Sequence, residues 1–205
     1  MTARDGPSKP VDMTTATAEL QSLQSLVTQA QRGDRRSADR LIREHEPWVR
    51  SVVFGVLGRV DLVDDVVQQV WTQAWERLGS LENPARLRSW LYTIARNAAI
   101  DAGIARKRRA ATADVELLDA ARDARRDVQP PNPARVSIEG ELRATLLRAV
   151  EALPALYREP FVLRHLEGWS YAQIAELLGV VEETVETRLV RARRMLRELM
   201  RDRVD

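Results

Sequence analysis

The chain has 205 residues, of which 44% are apolar and 30% charged. That is a length for one or two small domains with the balance of an ordinary globular protein, and it excludes collagen-like and coiled-coil classes. Cysteine is absent, which excludes disulfides, thiolate catalysis and cysteine metal sites, and the formal net charge is only +2, so electrostatics must be read locally.

Residues 1–18 are polar, with Gly6, Pro7 and Pro10, and predict a disordered leader. The leader has no apolar signal core, and the most apolar stretch, "VVFGVLG", is too short to span a bilayer. A soluble, cytoplasmic protein is expected. From Glu19 the pattern turns helical, with Leu20, Leu23, Leu26, Val27 and Ala30 on one face until "RGD" breaks it. A second helix is expected from about Arg35 to Leu57, with Pro47 as a kink or restart. In the third, "LVDDVVQQVWTQAWERL" puts Val67, Val70, Trp71, Ala74 and Leu78 on one stripe, and helical spacing assigns both Trp71 and Trp75 to the core. "GSLENPA" reads as a loop, followed by a fourth helix from about Arg86 to Arg109. This helix ends in "RKRR", which is either a solvated helix end or a phosphate contact.

Residues 110–138 change to alanine and mixed charge and then "QPPNP". Consecutive prolines cannot continue a helix, so a flexible linker is expected, with a transient helix at "ADVELLDAARDARR". A second helical block runs from Ile138 to about Arg201. With no convincing strand run or repeat, the expected fold is all-α: two small helical domains, 19–109 and 139–205, on a tether.

The second block contains "EGWSYAQIAELLGVVEETVETRLVRARRML", a helix, a short turn at Gly179 and another helix, the pattern of a helix-turn-helix. Ser170 and Gln173 form a capping-box pattern at the start of the first helix. On the second, Val185, Leu189, Ala192 and Leu196 share the core side, leaving Glu183, Glu186, Thr187, Val190, Arg191 and Arg194 for a DNA groove. Carboxylates open a helix meant to meet a polyanion. For Glu182 and Glu183 the helix dipole is a sufficient reason. Glu186 has no same-helix cation to relieve it, and reads equally as surface charge or as an acceptor for the cytosine amino group. Residues 139–205 carry 11 arginines against 12 carboxylates, a net of −1, so this block should hold DNA poorly by itself, although seven of the arginines lie between Arg188 and Arg203. Residues 19–109 carry 15 basic against 11 acidic groups.

"DDVVQQVWTQAWERL", "RSWLYTIARNAAID" and "LPALYREPFVLRHLEGWSYAQIAELLG" together resemble the bacterial sigma-70 family of RNA polymerase initiation factors. The two-domain brevity is similar to its extracytoplasmic-function (ECF) group. The resemblance covers about residues 24–109 and 139–199, and implies a sigma domain 2 helical bundle and a sigma domain 4 helix-turn-helix. It implies that Asp65, Gln68, Gln69 and Gln73 dock on the β′ clamp coiled-coil of core polymerase. It places Asn97 where the family contacts a flipped-out base of the −10 element, a task suited to an amide that both donates and accepts. The loop from Leu81 to Leu87 matches the one that forms the pocket for that base. Arg88, Trp90, Tyr92, Arg96, Arg106, Lys107, Arg108 and Arg109 complete the implied −10 surface, with Trp90 and Tyr92 open between base stacking and packing. The exposed face of the last helix becomes the −35 reader. Implied partners are the β′ clamp and β flap of the polymerase, promoter DNA and, as a regulator, an anti-sigma factor clamping both domains.

Several positions depart from the family pattern. Glu186 stands where a basic residue is common, Val190 where a histidine is frequent, and Val181 where a small polar cap is usual, which leaves the −35 preference open. Leu87 replaces a commoner aromatic, and Pro160 predicts a kink. A polymerase-bound reader tolerates the glutamates, since other contacts raise its local concentration on DNA. Glu183 and Glu186 are then expected to favour cytosine.

A free-standing dimeric helix-turn-helix regulator explains the C-terminus equally well but gives no role to "DDVVQQVW" or "RSWLYTIARN"; a helical adaptor that binds only proteins is a third reading. No enzyme is expected: His45 and His165 are isolated, Asp64 and Asp65 point apart on a helix, and neither a phosphate loop nor metal-ligand spacing occurs. No cofactor or metal is expected.

Overall fold

The computed structural model describes residues 13–117 and 138–201. Among the described residues every regular element is helical and there is no strand. The expected leader up to residue 12 and residues 118–137 of the expected linker lie outside the described residues. Helix α1 (Met13–Gln31) begins ahead of Glu19, inside the stretch expected to be leader.

Helix α2 (Arg35–Leu57) starts on Asp34, whose carboxylate accepts from the Ser37 amide at 2.9 Å and the Ser37 hydroxyl at 2.5 Å. The hydroxyl bond, more than any other influence, holds the Asp34 carboxyl below its ordinary pKa. The helix closes on Gly58, which takes the left-handed conformation (φ 65°) and donates its amide to the Phe54 carbonyl. Pro47 neither ends nor restarts it. The carbonyl left unpaired by Pro47 is that of Arg43, and both residues are exposed, so the loss falls on the solvent side.

A 3₁₀ turn (Val60–Leu62) leads into α3 (Val63–Arg77), which buries Val66, Val67, Val70 and Ala74. Trp71 packs half-buried at the edge of this stripe, its indole Nε1 enclosed without a partner among the described residues. Trp75 is 46% exposed, contrary to the core assignment. Four residues turn a helix by about 40° beyond a full revolution, so with Trp71 already at the edge, Trp75 passes over it. After 3₁₀ turns at Leu78–Ser80 and Pro84–Arg86, α4 (Leu87–Leu117) buries Leu87, Leu91, Ile94, Ala95 and Ala98 against α2 and α3. It continues beyond Arg109 into the stretch expected to be linker.

The second block consists of α5 (Ile138–Ala152), α6 (Ala155–His165), α7 (Tyr171–Leu178) and α8 (Glu182–Arg201). Its interior is built from Ala149, Leu153, Val162, Leu163, Ile174, Val185, Leu189, Ala192 and Leu196. Pro160 sits inside α6, which continues to His165; the carbonyl it cannot bond belongs to exposed Leu156. One face of α6 meets α7 and α8, while another packs on α2 of the first block. The two helical blocks therefore touch directly.

Candidate functional site

The implied polymerase-docking residues lie on α3. Asp65, Gln68 and Gln69 are exposed and Gln73 is half-buried, opposite the valine stripe that fixes the helix to α2 and α4. Asp64 and Asp65 occupy the first turn, where carboxylates complement the helix dipole. Asp64 pairs with Arg50, whereas Asp65 has no ion pair among the described residues.

The implied −10 surface runs along α4 and the loop before it. Ser80, Leu81, Glu82, Asn83, Trp90 and Thr93 help line a shallow pocket of about 360 Å³, where a base pocket is expected. The loop is held by Gln31 at the end of α1, whose amide donates to the Leu78 and Leu81 carbonyls, each at 2.9 Å. Asn83 accepts from the Ala85 amide at 3.0 Å, and the Ser89 hydroxyl donates to the Arg86 carbonyl at 3.0 Å. No sequence signal marks Gln31 for this task, since its partners stand some fifty positions away in the chain. Asn97 is exposed one helical turn after Thr93 and lines a separate cleft between the two blocks, and Arg106, Lys107, Arg108 and Arg109 are exposed further along the helix. Trp90 is half-buried.

Three residues of this surface are already occupied by the second block. Tyr92 is buried, and its hydroxyl donates to the Glu159 carboxylate of α6. Burial, reinforced by the Glu159 charge, pushes the Tyr92 phenol well above its ordinary pKa. Arg96 donates from Nε to the same carboxylate at 3.2 Å. The Arg88 guanidinium stands 5.9 Å and 5.8 Å from the ring centroids of Trp48 and Trp169, which stack 5.9 Å apart with planes inclined by 3°. Glu159 and Trp169 carry no local pattern that marks them for this contact.

The helix-turn-helix is formed as its pattern predicts. Ser170 and Gln173 make a reciprocal capping box, with the Gln173 amide donating to Ser170 Oγ at 3.2 Å and the Ser170 amide to Gln173 Oε1 at 2.9 Å. Gly179 ends α7 in the left-handed conformation (φ 66°). On α8, Val185, Leu189, Ala192 and Leu196 are buried, while Glu183, Glu186, Thr187, Val190, Arg191 and Arg194 are all exposed. Glu183 and Glu186 have no ion pair among the described residues. Arg194 reaches Glu198 at 3.8 Å, and Arg191 approaches the Tyr157 hydroxyl at 3.5 Å.

The histidines converge on no reactive group. His45 is buried, with Nδ1 donating to the Leu41 carbonyl at 2.9 Å, and His165 lies against Phe161 with ring centroids 4.5 Å apart. Burial lowers the pKa of His45 below the usual imidazole value, and at exposed His165 partial desolvation together with the charges of Arg193 and Arg164 acts in the same direction. Among the described residues no group of histidines and carboxylates could hold a metal ion, and no helix is long and apolar enough to cross a membrane.

Comparison with known proteins matches both blocks. Residues 41–111 match sigma-70 region 2, and residues 143–196 match sigma-70 region 4. The chain is 32% identical over 174 residues to the RNA polymerase sigma-H factor of Pseudomonas aeruginosa, covering 83% of this chain and 89% of that protein. It is 33% identical over 174 residues to the ECF RNA polymerase sigma-E factor of Escherichia coli, covering 83% and 90%. Among solved structures, CnrH in complex with the cytosolic domain of CnrY superposes with a TM-score of 0.58 at 24% identity, covering 86% of this chain and 96% of CnrH. The sigma factor RpoE of Bartonella quintana, in complex with the anti-sigma factor NepR, gives 0.53 at 24% identity, covering 80% and 96%. The chain belongs to the sigma-70 family, in its ECF group. It is a promoter-specific initiation factor that works with core RNA polymerase on promoter DNA, and no enzymatic family is indicated.

Proposed function

We propose that the exposed faces of α3, α4 and α8 divide the work of initiation. The α3 face with Asp65, Gln68, Gln69 and Gln73 docks on the β′ clamp coiled-coil. The loop pocket, Trp90, Asn97 and the arginines of α4 take the −10 element as melted single strand, with the pocket receiving a flipped base. The exposed stripe from Glu183 to Arg194 reads the −35 element in the major groove, where Glu186 accepts from cytosine N4. The domain limits are 19–109 and 139–205, with the tether between them. The protein works in the cytoplasm, where its polymerase and promoters are, and catalyses no reaction of its own. CnrH and RpoE are each held by a protein partner, CnrY and the anti-sigma factor NepR, and an anti-sigma factor is read as a regulator of this chain also.

The observation that carries this reading is the formed pocket before α4, walled by Trp90 and Thr93 on a helix whose opposite side is packed into the core, with Asn97 exposed one turn further along. The test compares Asn97→Ala and Gln69→Ala in promoter binding and polymerase binding. Asn97→Ala is expected to lower promoter opening at least tenfold with core affinity unchanged, and Gln69→Ala to do the reverse. Equal effects of both variants on both steps would count against the division.

A further inference from the structure

We infer that Gln31, at the end of α1, is a positioning residue of the −10 site: its side-chain amide ties down the loop before α4 and so keeps the pocket in the shape that receives a flipped base. The inference rests on the reading of that pocket as the −10 base pocket.

The loop between α3 and α4 consists of two short turns and a joint. The turn Leu78–Ser80 is closed by the Leu81 amide donating to the Leu78 carbonyl at 3.1 Å and by the Ser80 hydroxyl donating to the Arg77 carbonyl at 2.7 Å. The turn Pro84–Arg86 is closed by the Arg86 amide donating to the Asn83 carbonyl at 2.9 Å. Between them the backbone is extended at Leu81 (φ −79°, ψ 91°) and again at Asn83 (φ −116°, ψ 103°), so neither turn carries its hydrogen-bond pattern across the joint. Yet the joint is what shapes the pocket, because Ser80, Leu81, Glu82 and Asn83 all line it.

Gln31 supplies the missing restraint. Its amide nitrogen has two hydrogens, and it donates to the Leu78 and Leu81 carbonyls, each at 2.9 Å. One acceptor opens the first turn and the other stands just past it, at the start of the joint, so a single group fixes how the joint leaves the turn. The Leu78 and Leu81 side chains are buried and anchor the same two residues from the core. Gln31 itself lines no part of the pocket; it holds the wall from behind.

The platform from which Gln31 reaches is rigid. Val27 and Ala30 of α1 are buried, and the turn that follows Gln31 is closed by the Gly33 amide donating to the Ala30 carbonyl at 2.9 Å and the Asp34 amide to the Gln29 carbonyl at 3.1 Å. The Ser37 hydroxyl of α2 donates to Gln29 Oε1 at 3.0 Å, and α1 packs on the turn Pro84–Arg86 as well. Helix α1 offers no residue to DNA in the −10 assignment, and its contribution to the site is this brace.

Gln31 is exposed, so when its amide is removed the two carbonyls pass to water and the block stays folded. What is lost is order in the loop. An incoming base must then fix the joint as well as enter the pocket, and hydrogen bonds of this kind change an equilibrium by about two- to tenfold each. The loss falls on the base that uses the pocket and on no other.

The test uses this chain bound to core RNA polymerase and a promoter fragment from a start site mapped with it. Promoter opening is measured with each non-template base of the −10 element replaced in turn by an abasic residue, for the parent, for Gln31→Met, which keeps the length and removes the donor, and for Gln31→Glu, which keeps the shape and turns oxygens on the carbonyls. In the parent, the abasic residue at one position is expected to lower opening about tenfold, the upper end for such a contact. In both variants the penalty at that position is expected to shrink to about twofold or less, with the penalties elsewhere and the affinity for core polymerase unchanged, the coupling of a residue and a base that share one site. A full penalty retained in both variants overturns the role of Gln31 alone. Penalties reduced equally at every position also overturn it, since general loosening would do that. A parent with no sensitive position overturns the base-pocket reading and the inference with it.

Discussion

The Tyr92 hydroxyl in α4 donates to the Glu159 carboxylate in α6, joining residues 67 positions apart across the two helical blocks. The carboxylate is almost fully enclosed and accepts from Arg96 as well, so it is a charged acceptor in a poorly solvated place. Hydrogen bonds to charged groups contribute about 1.5–3 kcal/mol. Tyr92→Phe is expected to destabilise the free chain by roughly this amount in urea unfolding followed by circular dichroism. A change within error would show that the bond has no net value.

His45 and His165 give the fold an acid-sensitive side. Both have lowered pKa values, His45 by burial and exposed His165 by partial desolvation beside Arg193 and Arg164, so the folded chain keeps them neutral at a pH where the unfolded chain protonates them. This contribution is complete above the unfolded imidazole value of about 6.5 and is lost as the pH falls from there through the lowered folded values. His45 is buried and His165 exposed, so His45→Gln is expected to flatten most of the decline in urea midpoint between pH 7 and 5. An identical slope in the variant would remove His45 as its cause.

Ser170→Ala removes one half of the capping box that starts α7 and should cost about 1 kcal/mol. Because α7 seats α8, binding to a −35 duplex within the polymerase complex should weaken while core binding is unchanged. Thermal unfolding and a duplex competition assay check the two parts separately.

Glu186 is exposed on α8 with no cation to neutralise it among the described residues. If it accepts from a cytosine, Glu186→Ala loses about 1–3 kcal/mol of discrimination at a single base pair of the −35 element. Promoter selection from a randomised library should show that position relaxed and the others intact. An unaltered −35 preference would return Glu186 to ordinary surface charge.

Much of this architecture was legible in the residues. Apolar periodicity located the helices, and Ser170, Gln173 and Gly179 marked the helix-turn-helix together with its buried and exposed sides. The failures have physical causes. The helix ends at Met13 and Leu117 are not marked in the sequence because polar, alanine-rich text does not distinguish a solvated helix from coil. Trp75 is exposed against its spacing because spacing alone does not say where a stripe ends. The contact between blocks was invisible because Arg158, Glu159 and Trp169 acquire meaning only beside Gly55, Tyr92 and Trp48, which are distant in the chain and share no pattern with them.

The most direct measurement of the central claim is transcription from fragmented genomic DNA of the source organism by core RNA polymerase, with and without this chain, mapping RNA 5′ ends. New start sites that share −10 and −35 elements are the predicted result. An unchanged set of starts, with no binding to core polymerase, would contradict it.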